Sequence, residues 1–286
     1  MRTVLITGCS SGIGMETALA FSRAGDRVYA TMRDLSRAIE LQSAADREGL
    51  SLQLAELDVA APSTFAALIN RLVDESGGID VLVNNAGVLT TGAFEDASEA
   101  VLRKTMEVNF FGPALLTQAV LPTMRRQENG YIINISSLSG VASKGGDAIY
   151  AASKFALEGL SEGFRNEVAR WNIKTALVEP GQYATKIFRD ADENGSENEK
   201  SPYRALNAQL RRETQVGGPG GDARDLAALI VKISRSDGAR LRWPSDAMAE
   251  KVLSSLFAMD DTKRGAFLRD VANLDWWIEG REKPDE

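Results

Sequence analysis

The sequence predicts an α/β fold: a parallel sheet covered on both faces by helices, followed by a helical C-terminal extension. Three observations carry this. Short apolar, β-branched runs recur through the first two-thirds of the chain. Amphipathic segments of helical period separate them, and a Gly-rich turn follows the first run. A strand that reaches its neighbour through a helix lies parallel to it, and ligands of such sheets bind beyond the carboxyl ends of the strands.

The elements follow in order. Residues 3–6 read as the first strand, and residues 14–24 as a helix stopped by Gly25. Residues 27–32 form the next strand and 35–48 a helix closed by Gly49. Strands are expected at 52–57, 81–83, 131–135 and 173–178, with helices between them that include 99–126 and 151–170. The last third changes character. Residues 189–202 are polar and acidic, and 216–221 are Gly/Pro punctuation. Asp222 caps a helix that reaches Ser234, residues 240–243 read as a final strand, and two helical segments follow. No linker or internal repeat divides the chain. Residues 1–286 therefore read as one domain, with a substrate loop at about 185–203 and an extension at about 245–286.

Composition removes several classes of function. Hydrophobic residues make up 44% of the chain, enough for a sizeable core. The net charge of −7 argues against nucleic acid or an anionic membrane surface as partner. The chain has no His, which excludes Ser-His-Asp chemistry and the commonest zinc sites, and no metal site is expected. Cys9 is the only cysteine, so no internal disulfide forms and a reducing compartment fits. The residues after Met1 do not read as a signal peptide, and no apolar stretch is long enough to span a bilayer. The expectation is a cytoplasmic protein.

Thr7-Gly8-Cys9-Ser10-Ser11-Gly12-Ile13-Gly14 sits between the first strand and the first helix. Its glycines permit a tight turn and close approach of backbone to a phosphate, and the helix that follows offers free N–H groups and a positive dipole end. The spacing G-x-x-x-G-x-G also suits an ordinary strand–helix turn. Tyr150 and Lys154, spaced by four, share one face of a helix. An ammonium beside a phenol favours the phenolate, and a phenol so tuned can exchange a proton with a substrate oxygen. Ser137, at the end of a strand, offers a hydroxyl to the same oxygen. Asn84-Asn85-Ala86-Gly87 closes another strand, and Asn109 lies within a long helical stretch. Taken singly, these two features read as a turn and as a helix-surface Asn.

In their order along the chain these motifs resemble the short-chain dehydrogenase/reductase superfamily over about residues 3–185, with features of its hydroxysteroid and retinol dehydrogenase branch. The resemblance rests on the Gly loop, Asp58, Asn84–Gly87, Asn109, Asn134–Ser137, Tyr150–Lys154 and Pro180-Gly181 with Thr185. It implies a Rossmann-type, doubly wound sheet of seven parallel strands. It also implies a tetrad of Asn109, Ser137, Tyr150 and Lys154. In that scheme Tyr150 is the acid/base and Ser137 positions the carbonyl. Lys154 binds the nicotinamide ribose and lowers the pKa of Tyr150, and Asn109 holds a water that links Lys154 to solvent. The resemblance further places Asp58 and Val59 at the adenine, and Pro180, Gly181 and Thr185 at the carboxamide. It implies a homodimer or homotetramer built on the helices near 99–126 and 151–170.

Cofactor choice is read from the end of the second strand. A carboxylate there would bind both ribose hydroxyls of NAD, but Met32 holds the position and Arg33 follows. A guanidinium suits the extra phosphate of NADP(H), with Ser11 in support, so NADP(H) is expected. The competing reading has Arg33 solvated and Asp34 on the ribose of NAD(H). Ser139, Tyr183, Ile187 and Phe188 are candidate substrate contacts and point to an apolar pocket, and residues 189–202 to a lid. The chain is thus expected to be an oxidoreductase that interconverts a carbonyl and a secondary alcohol. An NAD(P)-dependent epimerase or dehydratase, and a non-enzymatic NADP-sensing binding protein, stand as alternatives.

Overall fold

The computed structural model of the chain describes residues 1–181, 183, 187, 200–216, 220–271 and 273–281. Among them, seven strands form one parallel sheet: β1 (Thr3–Ile6), β2 (Arg27–Met32), β3 (Gln53–Glu56), β4 (Val81–Asn84), β5 (Gly130–Ile135), β6 (Ile173–Glu179) and β7 (Arg242–Pro244). Their order is β3-β2-β1-β4-β5-β6-β7, so the winding reverses between β1 and β4. The crevice outside that reversal is where such sheets bind ligands. Successive side chains along a strand face opposite layers. Val4 and Ile6 join a core with α1 (Gly12–Arg23), α2 (Ile39–Glu48) and α8 (Ala223–Ile233), which supplies Leu226 and Ile230. Leu5, between them, joins a second core with α3 (Phe65–Ser76), α5 (Gly112–Gln127) and α6 (Ala148–Val168). The remaining helices are α4 (Glu99–Met106), α7 (Arg204–Val216), α9 (Ala247–Ala258), α10 (Asp261–Val271) and α11 (Asp275–Ile278). No helix among the described residues is long and apolar enough to cross a membrane.

The structure departs from the sequence expectation in places that have local causes. Helix α1 begins at Gly12, two residues before Gly14, because the backbone enters the helix directly after the extended Ser11. Residues 35–48 divide into a 3₁₀ turn (Leu35–Ala38), capped by the Asp34 carboxylate, and α2. The stretch 99–126 is broken by a π-helical turn, Glu107–Phe111. Pro113 has no N–H to give to the carbonyl four residues earlier, that of Asn109, and the Gly112 N–H reaches back to Glu107 instead. The last strand starts at Arg242, two residues later than expected.

A buried polar brace fastens the catalytic half of the sheet to its helices. Asn84 Nδ2 donates to Asn134 Oδ1 (2.8 Å) and to Thr117 Oγ1 of α5 (3.1 Å). Asn134 Nδ2 donates to Ser161 Oγ of α6 (2.9 Å). Replacing Asn134 by Leu of similar size leaves Asn84 short of an acceptor and Ser161 short of a donor. Chemical denaturation is expected to show a loss of about 1–3 kcal/mol; an unchanged midpoint would rule out the brace as a source of stability.

Candidate active site

The loop after β1 and the loop after β4 are built as one unit. Thr7 Oγ1 accepts hydrogen bonds from the backbone N–H of Asn85 and of Ala86, both at 3.0 Å. Asn85 Nδ2 donates to the carbonyls of Thr7 (2.8 Å) and Gly8 (3.2 Å). Asn85 lines the cavity, but both its side-chain hydrogens serve to hold the Gly loop in place. Gly8 and Gly12 have φ of +75° and +57°, and a Cβ on Gly8 would stand 2.8 Å from the Ala86 Cα. A Cβ on Gly14 would run into the Gly8 carbonyl and the Asn85 amide. Ser11 makes no side-chain cap to α1, so no side chain occupies the first N–H groups of that helix. The glycines let the β1 and β4 loops close against each other with the first N–H groups of α1 turned to the cavity, an arrangement that fits a dinucleotide.

This cradle opens into a cavity of about 1600 Å³. Ser10, Ser11, Gly12, Ile13, Gly14 and Gly87 line one part of it, as do Asp58 and Val59. At the end of β2, Met32 is buried while Arg33 and Asp34 reach the cavity exposed. The Asp34 carboxylate accepts the Ser36 N–H at 2.9 Å as the cap of its 3₁₀ turn. Arg37, one turn further on, is a second guanidinium on the same wall, which the sequence reading did not pick out.

Tyr150, Lys154 and Ser137 meet deeper in the cavity. Tyr150 and Lys154 are 9% and 5% exposed. Lys154 Nζ donates to the Ile135 carbonyl at 2.8 Å and stands 5.8 Å from the centre of the Tyr150 ring. Burial governs both groups. It pushes the phenol up to about 12, a rise that the Ser137 hydroxyl opposes, and it pulls the amine down to about 8. The phenol thus stands above its ordinary value and not below it, because burial disfavours the phenolate more than the Ser137 hydroxyl favours it. Ser137 caps a 3₁₀ turn (Leu138–Gly140), its Oγ accepting from Ser139 N at 3.1 Å.

Asn109 is fully buried, not on a helix surface. Its Oδ1 accepts from Val88 N and its Nδ2 donates to Val88 O, both at 2.9 Å. Nδ2 also donates to Ser153 Oγ (3.0 Å), and that hydroxyl donates to the Tyr150 carbonyl (2.6 Å). The side chain thus ties the β4 loop to the helix that carries Tyr150. Pro180 and Gly181 leave β6 beside Leu138, whose N–H the Pro180 carbonyl accepts at 3.1 Å. Tyr183 touches the cavity but belongs mainly to the core, with its ring against Gly221. Ile187 packs on Tyr150 and Leu89, and Ser139 lines the wall. Thr185, Phe188 and residues 189–199 of the expected lid lie outside the described residues. Among the described residues no group of His, Cys, Asp or Glu is arranged to hold a metal ion.

The far wall comes from the last third of the chain: Leu210 of α7, Met248, Val252 and Leu256 of α9, and Phe267 and Val271 of α10. The sequence reading had no role for this extension. Nothing in amphipathic helices distinguishes a cavity wall from a core face.

Comparison with known proteins matches residues 2–196 to the family described as short chain dehydrogenase. The chain is 38% identical to retinol dehydrogenase 8 of Bos taurus over 271 residues, covering 91% of this chain and 86% of that one. A short-chain dehydrogenase from Streptomyces avermitilis superposes with a TM-score of 0.77 and 32% identity, over 99% of this chain and 98% of the other. A metagenomic short-chain oxidoreductase in complex with NADP gives a TM-score of 0.65 at 26% identity, over 85% and 95% of the two chains. The chain belongs to the short-chain dehydrogenase family and is an oxidoreductase acting on CH–OH groups, with a fold that binds NAD(P).

The cradle yields a direct test. Gly14→Ala places a methyl group against the Gly8 carbonyl. Nucleotide titration followed by fluorescence is expected to show about ten-fold or greater loss of dinucleotide affinity, the effect of roughly 1–3 kcal/mol of overpacking. Unchanged affinity would mean that this loop does not hold the cofactor.

Proposed function

We propose that the chain is an NADP(H)-dependent reductase/dehydrogenase that interconverts an apolar ketone or aldehyde and the corresponding alcohol. The observation that carries this reading is the placement of Tyr150, Ser137 and Lys154. They lie in one cavity whose far wall is apolar and whose β2 end bears Arg33 and Arg37.

The residues divide the work. The Gly8–Gly14 cradle and the N-terminus of α1 hold the diphosphate. Arg33 and Arg37 would face the extra phosphate of NADP, and one oxygen of the Asp34 carboxylate is held by the Ser36 N–H of its own turn. Bound nicotinamide supplies or accepts the hydride. Ser137 donates a hydrogen bond to the substrate oxygen, and Tyr150 gives that oxygen a proton or takes one from it. The protein groups alone keep Tyr150 in its proton-bearing form, the form from which reduction of a carbonyl starts. Lys154 places a positive charge next to the phenol and the nicotinamide ribose. The Asn109 side chain has both hydrogens committed to Val88 and Ser153, so its part in any proton path is taken by its main-chain carbonyl, which Pro113 deprives of the usual helical partner.

The substrate class follows from the walls. Leu89, Leu138, Ile187, Leu210, Val252 and Phe267 give the cavity apolar surface beyond the reacting end, with Lys144, Gln209, Arg212 and Asn273 as polar groups among them. The retinol dehydrogenase named above supports a long apolar alcohol or its carbonyl form. A non-enzymatic cofactor sensor would have less use for a buried Tyr–Ser pair, whereas an epimerase would use the same pair. Leu102, Phe111, Phe155 and Leu160 are exposed along α4 to α6 and support assembly of identical subunits through these helices.

Consumption of NADPH with a panel of apolar ketones and aldehydes tests the reading. Tyr150→Phe is expected to lower turnover about 10²–10⁴-fold while NADPH binding is kept; near-normal turnover would remove Tyr150 from the chemistry. Arg33→Ala is expected to weaken NADPH binding about ten- to a hundred-fold and to leave NADH binding nearly unchanged. If the wild-type protein binds both nucleotides equally, the assignment of Arg33 fails.

A further inference from the structure

One helical turn beyond Lys154, away from the cofactor cradle, buried carboxyl groups outnumber the cation that serves them. Glu158 on α6 is 4% exposed and Glu179, the last residue of β6, is fully buried. Arg242 of β7 reaches both. Its Nε lies 3.0 Å from a Glu158 oxygen and 3.6 Å from a Glu179 oxygen, while its Nη2 pairs with the exposed Glu162 at 2.7 Å. Neither Glu179 oxygen accepts a hydrogen bond among the described residues, and neither does Glu158 Oε1.

Two carboxylates facing one guanidinium in a dry interior repel each other, and the balance favours a proton on one of them. Glu179 is that one. It lacks the direct hydrogen bond that Glu158 receives from Arg242, and burial together with the Glu158 charge pushes it up to about 8. The charged and polar groups that face the pair are few: Lys154 and Glu162 from α6, Arg242 from β7, Ser136 from the turn after β5, and Arg240 on the Glu179 side. Glu158 and Lys154 share a packed wall. A Cβ on Gly140 would stand 3.0 Å from Glu158 Cγ and 3.3 Å from Lys154 Cβ. Of the charged groups, Glu158 is the one that raises the Lys154 amine against the effect of burial.

We propose that Glu158, paired with Arg242, is a positioning residue that keeps the buried Lys154 ammonium charged. The proposal rests on the role given above to Lys154 and adds the source of its charge. Reaction at alkaline pH then ends where Lys154 loses its proton, and Glu158 sets that limit. The sign follows from the charges. Removing the Glu158 carboxylate weakens the attraction that retains the proton, so the limit moves to lower pH. Glu158 is the carboxylate that acts on the Lys154 amine, so removing the Glu179 carboxyl moves the limit less.

Two readouts keep this inference separable from the catalytic reading. The first is the pH profile of kcat/KM for wild type, Glu158→Gln, Glu158→Asp and Glu179→Gln. The second is competitive acetylation of the full-length protein across alkaline pH, with the Lys154 peptide quantified by mass spectrometry; this reads the amine directly and needs no turnover. Glu158→Gln is expected to lower both midpoints by about one pH unit or more. Glu158→Asp should restore most of the shift, and Glu179→Gln should move the midpoints less than Glu158→Gln does. Should Glu158→Gln not fold, the similarly sized Glu158→Met decides in its place, since an unchanged Lys154 midpoint there overturns the proposal. Unchanged midpoints in a folded Glu158→Gln overturn it as well. A protein with no reductase activity but with a Glu158-dependent Lys154 midpoint would refute the catalytic reading and leave the electrostatic one standing.

Discussion

Everything in the site depends on the register of three parallel strands. Asn84 of β4 lies opposite Asn134 of β5, and Ile135 of β5 opposite Val178 of β6. The segments that leave these strands therefore emerge at one level. Asn85–Gly87, Ser136-Ser137 and Pro180-Gly181 become neighbours although long stretches of chain separate them. A slip of one residue in any pair would turn the inward side chains outward and separate the cradle from the phenol. The Asn84–Asn134 hydrogen bond pins β4 against β5, and Asn134 ties β5 to Ser161 of α6.

The same region gives up stability for chemistry. Lys154 and Tyr150 are buried in surroundings that disfavour their charged forms, and Glu158 and Glu179 are buried with too few donors. The surrounding structure holds these groups by ordinary means. Asn109 clamps Val88, Thr7 clamps Asn85 and Ala86, and Arg242 joins β7 to α6. A site held by so many small ties is rigid before any ligand arrives, which is what placing a proton donor within reach of one oxygen requires.

Much of this was legible in the sequence, because parallel sheets put function directly after strands. The loops that follow β1, β4, β5 and β6 were identified from apolar runs ending in Gly, Asn, Ser or Pro, and the described residues of those loops line the cavity. What was not legible depends on three-dimensional context. Without the family resemblance Asn109 read as a helix-surface residue, because the π-helical turn that holds it forms only in the folded chain. Arg37 was passed over because the 3₁₀ turn that brings it round to Arg33 is created by the Asp34 cap. The state of Tyr150 was expected from its spacing to Lys154, whereas it is set by burial, which spacing does not reveal. The cavity wall formed by α7, α9 and α10 lay in helices whose apolar faces look like any others.

That wall has an evolutionary consequence. The hydride-handling floor is encoded before Gly181, and most of the apolar ceiling above it after Arg204. Mutations that reshape the ceiling act on residues such as Leu210, Val252 and Phe267, none of which holds the Gly loop, the brace or the tyrosine in place. Selection can therefore retune which molecule is accepted without renegotiating the chemistry done on it. An ancestral chain of this build could diversify its diet by editing only its tail.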